Sequence, residues 1–402
     1  MSGQLQFALA FVRNGDALLV LSSPSLRMAD MRVVGTFRPD WAAVETAVAT
    51  IRGLFQAANG SGTMDAASLA QLGSAGGWLF DELLPWDTKT LLRTGEGTLL
   101  LSLDPSLLHI PWECMAVGGE PIAARWAIGR LVQDDVDPSL RRQPSSPLRV
   151  HIIADPDGTL DDAYTEGEAV YQRFRRHARA QVAMRTADVD LAQLRQHLTA
   201  CDIFHFAGHV DSDGLRLRDE SFGAVRLQRL AGSGNAPSLV VLNGCAALAG
   251  DHWQDSLLQA WMRAGVSHVL GPMHEVPDRL GLLFAESFYR ELLAGRAIGR
   301  AVQLARQAIS RQVGPAAFLW GAYVLYGDPN QVYVPVVAAA ARPLPTVADT
   351  TLAASSALRA SATAATSPPD VQVPPTTNGS ATTLIMALLL AVAILSGMLI
   401  LR

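Results

Sequence analysis

Apolar residues alternate with polar ones at the start of the chain and then switch repeatedly between helical and strand periods. Leu5, Phe7, Leu9 and Phe11 recur at every second position, and with residues 17–21 they predict a hairpin around Asn14-Gly-Asp16. A further strand is expected over 31–34. Val44, Ala47, Val48, Ile51, Leu54 and Phe55 repeat at helical intervals and predict an amphipathic helix over 42–57, followed by another over 68–84. Apolar runs at 98–103 and 126–132 read as strands on either side of Leu108-His-Ile-Pro-Trp-Glu113. From Leu148 onward, short apolar runs at 150–154, 182–185, 203–206, 239–242 and 266–270 alternate with helical segments. That rhythm predicts an α/β fold with a mostly parallel sheet covered on both faces. Helices over 278–293 and 298–311 and a last strand over 318–326 close it, with no internal repeat.

The pattern stops near residue 333. Residues 334–383 are rich in Ala, Thr, Ser and Pro and poor in aromatics, so they read as a disordered linker. About 50 such residues, at roughly 5–6 Å × √n, have an end-to-end distance of about 40 Å. Residues 384–401 are uncharged and apolar apart from Ser396 and Gly397. Counted from Ala381, the run reaches about 31 Å at 1.5 Å per residue, enough to cross a bilayer as one helix. No positively charged stretch precedes the first apolar residues, so no signal peptide is expected, and a C-terminal tail anchor with the folded head in the cytoplasm is the predicted topology. Residues 1–65, the hairpin and first helix, are expected to be part of the head or packed on it, and 66–333 to form its main body.

Charge and cysteine content exclude several classes. Lys plus Arg number 32 against 37 Asp plus Glu, for a net charge of -5, and no basic block stands out, so no nucleic-acid partner is expected. Cys114, Cys201 and Cys245 lie far apart with no paired spacing, which argues against a disulfide framework and a zinc site. His252, His268 and His274 lack ligand spacing, and no Gly-rich phosphate loop is present, so neither metal nor cofactor is expected.

His209 and Cys245 are the candidate reactive pair. His209 closes Asp202-Ile-Phe-His-Phe-Ala-Gly-His209 and Cys245 closes Leu239-Val-Val-Leu-Asn-Gly-Cys245, each just past a buried-strand run. Strand ends are where open α/β sheets place their sites. A thiol beside an imidazole can be activated as a nucleophile, although a lone cysteine is more often a small buried hydrophobe than a nucleophile. His205 shares a strand face with His209 at an even spacing and reads as a structural hydrogen-bonding residue. Asp211 and Asp213 fit turn chemistry, with recognition of a basic substrate side chain as the alternative. Cys114, Cys201, Trp112 and Trp320 read as packing residues.

These segments, in their order, resemble the CHAT domain family, bacterial relatives of caspases and separases. The matching stretches are Leu108 to Glu113, Asp202 to His209, Val240 to Cys245, Ala264 to Gly271 with Val276-Pro-Asp278, Phe288-Tyr289 with Leu292 to Gly295, and Trp320 to Pro329. The resemblance implies a caspase-like three-layer sandwich and a cysteine endopeptidase with a His209–Cys245 dyad. It maps the oxyanion donors to the backbone N–H groups of Val210 and Cys245 and the substrate pocket near Asn243 and Gly244. It further implies a protein substrate, a separate protein activator and a bacterial defence, stress or cell-death role, while the C-terminal apolar run puts the tethered head at the cell inner membrane.

Five positions depart from the family. Val210 stands where the family has Gly, Asn243-Gly244 where it has Ser-Ala, and Ala246-Ala247 where it has Glu-Thr. A β-branched residue disfavours positive φ and crowds the approach of substrate. These departures motivate an alternative function, an inactive CHAT scaffold that recruits partners to the membrane. A third reading, a hydrolase or transferase using Cys245 on small molecules, lacks a supporting motif.

Overall fold

In a computed structural model, which describes residues 5–134, 137–199, 201–211, 213–229, 235–244, 247–248, 256–314 and 321–335, both strand signatures merge into one 11-stranded sheet. β1 (Leu5–Asn14) and β2 (Ala17–Ser23) form the predicted hairpin around Gly15, whose φ of 59° is a left-handed turn value. β3 (Arg32–Phe37) adds antiparallel to β2. Helices α1 (Trp41–Ala58) and α2 (Ala66–Leu83) each start behind an aspartate cap, Asp40 and Asp65, whose side chains accept from Ala43 N and Ser68 N. After α3 (Trp86–Thr94) comes β4 (Gly97–Leu103), which pairs in parallel with β1 and so joins the hairpin to the main sheet. A short hairpin, β5 (Ala116–Val117) and β6 (Glu120–Pro121), and the one-turn α4 (Ile122–Arg125) lead into β7 (Trp126–Val132).

The second half runs β8 (Leu148–Ala154), α5 (Asp161–Arg175), β9 (Ala180–Thr186), α6 (Leu191–Thr199) and β10 (Ile203–Ala207). A small sheet of β11 (Val210–Asp211), β12 (Gly214–Arg216) and β13 (Ser221–Phe222) follows, then α7 (Ala224–Gln228), β14 (Leu239–Asn243) and α8 (Leu257–Arg263). β15 (His268–Pro272), α9 (Asp278–Leu293), α10 (Ile298–Val313) and β16 (Tyr323–Tyr326) complete it. The strand order is β3-β2-β1-β4-β7-β16-β15-β14-β10-β8-β9, antiparallel only at β3/β2, β2/β1 and β16/β15. Every residue of β4, β10 and β15 is buried although successive side chains point to opposite faces, so these central strands are covered on both sides. β15 starts two residues later than the apolar run, because Val266 N still bonds Trp261 O and Gly265, at φ 97°, is turning the chain out of α8.

All described residues belong to one compact unit, Met1–Pro335. Among them no helix is long and apolar enough to cross a membrane. The predicted transmembrane run 384–401 lies outside the described residues, as do the linker beyond Pro335 and Trp320.

Leu108 to Glu113 is not a strand but a cradle for Arg130 of β7, which is fully buried. Arg130 Nε donates to Glu113 Oε1 at 3.1 Å, Nη2 donates to Glu113 Oε2, and Nη1 donates to Leu108 O at 3.0 Å. Burial alone would push the guanidinium down, but the Glu113 carboxylate holds it above its ordinary value.

At the β15/β16 junction, His268 is buried with Nε2 donating to Asp328 O at 3.0 Å and Nδ1 at 2.8 Å from the Tyr333 hydroxyl. Burial pushes this imidazole down from 6.5 to about 4, and His274 is depressed to about 4 for the same reason. Between those values the unfolded chain binds more protons than the folded one, so stability rises with pH. The urea midpoint is therefore expected to fall as the pH drops from 6.5 to about 4. A flat midpoint over that window would contradict the buried, neutral assignment.

Candidate active site

β10 and β14 are adjacent parallel strands with Ala207 opposite Asn243, and Gly208 N donates to Asn243 O at 3.4 Å just beyond the last pair. Asp202 pins the other end of β10: its carboxylate accepts from Arg149 N at 2.8 Å and lies 3.1 Å from Arg142 Nη2. The strand therefore has a structural end, anchored by the first residue of the His209 motif, and an open end where His209 emerges half-buried. Cys245 and Ala246 lie outside the described residues. Asn243 and Gly244 are the described residues that lead to Cys245.

Val210 begins β11 in extended conformation and is not among the residues with positive φ, so its β-branch meets no backbone strain. Arg216 N donates to His209 O at 3.0 Å, and Val210 pairs with Leu215 in the next position of the ladder. Bonded and non-bonded pairs alternate in such a ladder, which leaves the Val210 N–H pointing away from β12. A Cβ built on Gly244 would lie 2.5 Å from both Val210 Cγ2 and Gly208 O. The Val210 side chain thus occupies the space that an alanine at 244 would need, and the departures at these two positions complement each other.

Beneath this opening runs a buried polar network. Asn243 Nδ2 donates to Glu166 Oε2 at 2.6 Å, and the Tyr323 hydroxyl donates to Asn243 Oδ1. His205 lies fully buried, its Nδ1 3.0 Å from the Tyr289 hydroxyl. Its Nε2 sits 3.0 Å from Glu166 Oε1 but off the line of a hydrogen bond. Gly167 lets α5 approach closely, since a Cβ there would lie 2.3 Å from Ala154 Cβ, and this brings Glu166 under the strand ends.

A cavity of about 80 Å³ opens at the strand ends between Asp162, Glu166, Gly208, His209, Asn243 and Asp278. Burial, with Asp162 and Glu166 nearby, pushes the Asp278 carboxyl above its ordinary value, and the His209 imidazole acts in the opposite sense. The arrangement offers an imidazole facing carboxylates across a small cavity. Asp211 and Asp213 lie apart from that lining: Asp211 Oδ1 accepts from Asp213 N at 2.9 Å and Oδ2 from Arg216 Nη2 at 3.3 Å, which is turn and surface pairing.

Cys114 and Cys201 are buried free thiols, and burial pushes Cys201 up to about 12 and Cys114 further. Among the described residues no group of three or more His, Cys, Asp or Glu converges as a metal site. Sequence reasoning missed Glu166 and Asp162 as site residues, and took Asp278, Tyr289 and Tyr323 only as parts of family motifs. Glu166 carried a signal, since it sits on the apolar stripe of α5 with Ala163, Val170 and Phe174.

A large, mostly parallel α/β sheet covered on both faces matches a caspase-like sandwich. Residues 73–328, more than half of the chain, match the CHAT domain family, and the protein belongs to that family. Its fold is similar to a chain of the Saccharomyces cerevisiae separase–securin complex, seen in two crystal structures. The first has 12% identity and a TM-score of 0.51 over 81% of this chain and 30% of that one. The second has 11% identity and a TM-score of 0.51 over 80% and 30%. At such identity the likeness is one of fold, and the protein spans about a third of the length of that chain. The Arg specific cysteine proteinase gingipain R aligns at 12% identity and a TM-score of 0.46, over 67% of this chain and 68% of its own. No curated protein matches the sequence.

Proposed function

We propose that the protein is a membrane-tethered, caspase-like cysteine endopeptidase in which Cys245 is the nucleophile and His209 the proton carrier. The thiolate attacks the substrate carbonyl, the Val210 and Cys245 N–H groups hold the oxyanion, and the imidazolium gives its proton to the leaving amine. The observation that carries this reading is the register: Ala207 faces Asn243, and His209 and Cys245 each follow two residues later. The head, 66–333 with the N-terminal hairpin and helix, would ride on the 334–383 linker above a 384–401 anchor and cut a specific protein when a separate activator engages it, in a bacterial defence, stress or cell-death response.

Alkylation tests the nucleophile directly, because Cys114 and Cys201 are buried with raised thiols. Iodoacetamide on the native full-length protein is expected to modify Cys245 alone and stoichiometrically, and cleavage of a co-expressed host protein should disappear in Cys245→Ala. An unreactive Cys245 together with no cleavage would leave the scaffold reading in place. For the anchor, alkaline carbonate is expected to leave the full chain in the membrane pellet and to release a chain lacking 384–401. Release of both would end the membrane assignment.

A further inference from the structure

The two ends of the parallel sheet differ in charge. Where β8, β9 and β10 begin, Arg141, Arg142 and Arg149 flank the start of β8, and Arg175, Arg176 and Arg179 lie where α5 hands over to β9. Asp202 answers two of them: it is fully buried, and its Oδ1 lies 3.1 Å from Arg142 Nη2 and 3.2 Å from Arg149 Nη2. Arg141, Arg175 and Arg176 are exposed and form no ion pair among the described residues. The opposite end, where the same strands finish, carries Asp157, Asp162, Asp188 and Asp278, and Arg216 and Arg218 there are matched by Asp211 and Asp219.

Cations near a helix C-terminus complement its free carbonyls, which accounts for Arg173 and Arg175 in the last turn of α5. It does not account for the cations at the start of β8, nor for Arg179, whose Nη1 donates to Pro335 O. That bond holds the residue at which the compact unit ends. Two residues earlier, the Tyr333 hydroxyl donates at 3.0 Å to the carbonyl of Ser238, directly before β14. The chain therefore leaves the folded unit through its basic end, and the uncharged apolar run 384–401 lies further along the same chain. On a protein of net charge -5, such a face is a local feature that attracts a polyanion.

We infer that this end of the sheet docks on an anionic membrane surface, with the guanidiniums of Arg141, Arg175 and Arg176 pairing with lipid phosphates. The inference rests on the membrane location in the proposed function and not on its peptidase chemistry. Arginine suits the partner because its planar fork takes two phosphate oxygens at once, and basic clusters beside a membrane anchor are drawn to anionic headgroups. A head on a long flexible linker has no fixed orientation, and docking gives it one. The strands then point away from the lipid. β8 has seven residues, so at about 3.3 Å per residue the strand ends near His209 would stand roughly 20 Å above the docked end.

The test is flotation of the chain lacking 384–401, which keeps the whole compact unit Met1–Pro335, with vesicles of phosphatidylcholine alone or with about one-third phosphatidylglycerol. The protein is expected to float with the mixed vesicles in about 0.05 M salt, to stay behind with phosphatidylcholine, and to be released in about 0.5 M salt, where screening is short-ranged. Arg175→Glu with Arg176→Glu should weaken binding by about tenfold or more while keeping the thermal transition. Arg216→Glu with Arg218→Glu makes the same change of charge at the other end and should leave binding as it was. Equal binding to both vesicles, equal loss in the two double variants, or tighter binding to a short DNA duplex than to the mixed vesicles would overturn the docking face. Carbonate extraction of the full chain reports on the anchor separately, so either result can fail without the other.

Discussion

Replacing His209 with alanine is expected to slow substrate cleavage by about 10² to 10⁴-fold, the usual contribution of a positioned acid–base group, and to leave the urea midpoint unchanged. The two halves of that expectation come from different features. His209 stands past the end of β10, half-buried at the mouth of the small cavity, so truncating it leaves no hole in the core. Its backbone position is kept by the bond from Arg216 N to His209 O, which the substitution does not touch. What is lost is the imidazole that lines the cavity with Asp278 and to which the proposed function gives the proton transfer to the leaving amine. His205→Ala serves as the contrast: it empties a fully buried site and strips Glu166 and Tyr289 of their neighbour, so it should lower the urea midpoint. Cleavage by His209→Ala within about threefold of the wild-type rate, far less than a positioned acid–base group contributes, would remove His209 from the mechanism, whatever the fate of Cys245.

Glu113→Gln is expected to destabilise the protein by about 3–5 kcal/mol, the usual cost of breaking a buried ion pair from one side. Glu113 and Arg130 are both essentially inaccessible to solvent. With the carboxylate neutralised, Arg130 keeps the Leu108 and Ile110 carbonyls but faces Arg306 with no anion between them. Converting the pair together, as Glu113→Leu with Arg130→Met, should recover most of the loss, because two apolar side chains leave no charge stranded. Urea denaturation of both variants decides it. A single variant within about 1 kcal/mol of wild type would mean that water reaches the pair and screens it.

Much of the fold was legible in the sequence because strand and helix periods are local. The alternation at residues 5–12 and the stripe from Val44 to Phe55 each commit a segment to one element, and both elements form there. The candidate site was legible at His209 for a similar reason, since a polar residue directly after a buried strand run must emerge at a strand end. Other features depended on what packs against what. The apolar run near Tyr323 announced a strand but not that it would insert between β7 and β15, antiparallel to the latter. The Leu108–Glu113 segment looked like a motif without a task until Arg130, seventeen residues from Glu113, was seen to fill it.

Val210 shows the division most sharply. As one residue in a line it argued against a working site, because a β-branched side chain replaces glycine next to the histidine. In three dimensions its backbone is ordinary β, and its methyl group takes the space left by Gly244 on the neighbouring strand. The sequence alone settled many of the strands and helices, though not α3, the β5–β6 hairpin or the β11–β13 sheet, that His209 follows a buried strand, and which family motifs are present, since these depend on residue type and spacing. Only the tertiary structure decided that Glu166 and Asp278 gather at His209, that Gly244 makes room for Val210, and that Arg179 holds Pro335 at the basic end of the sheet. Those facts rest on contacts between residues far apart in the chain, and a periodic pattern tells which face of an element is buried but not what it is buried against.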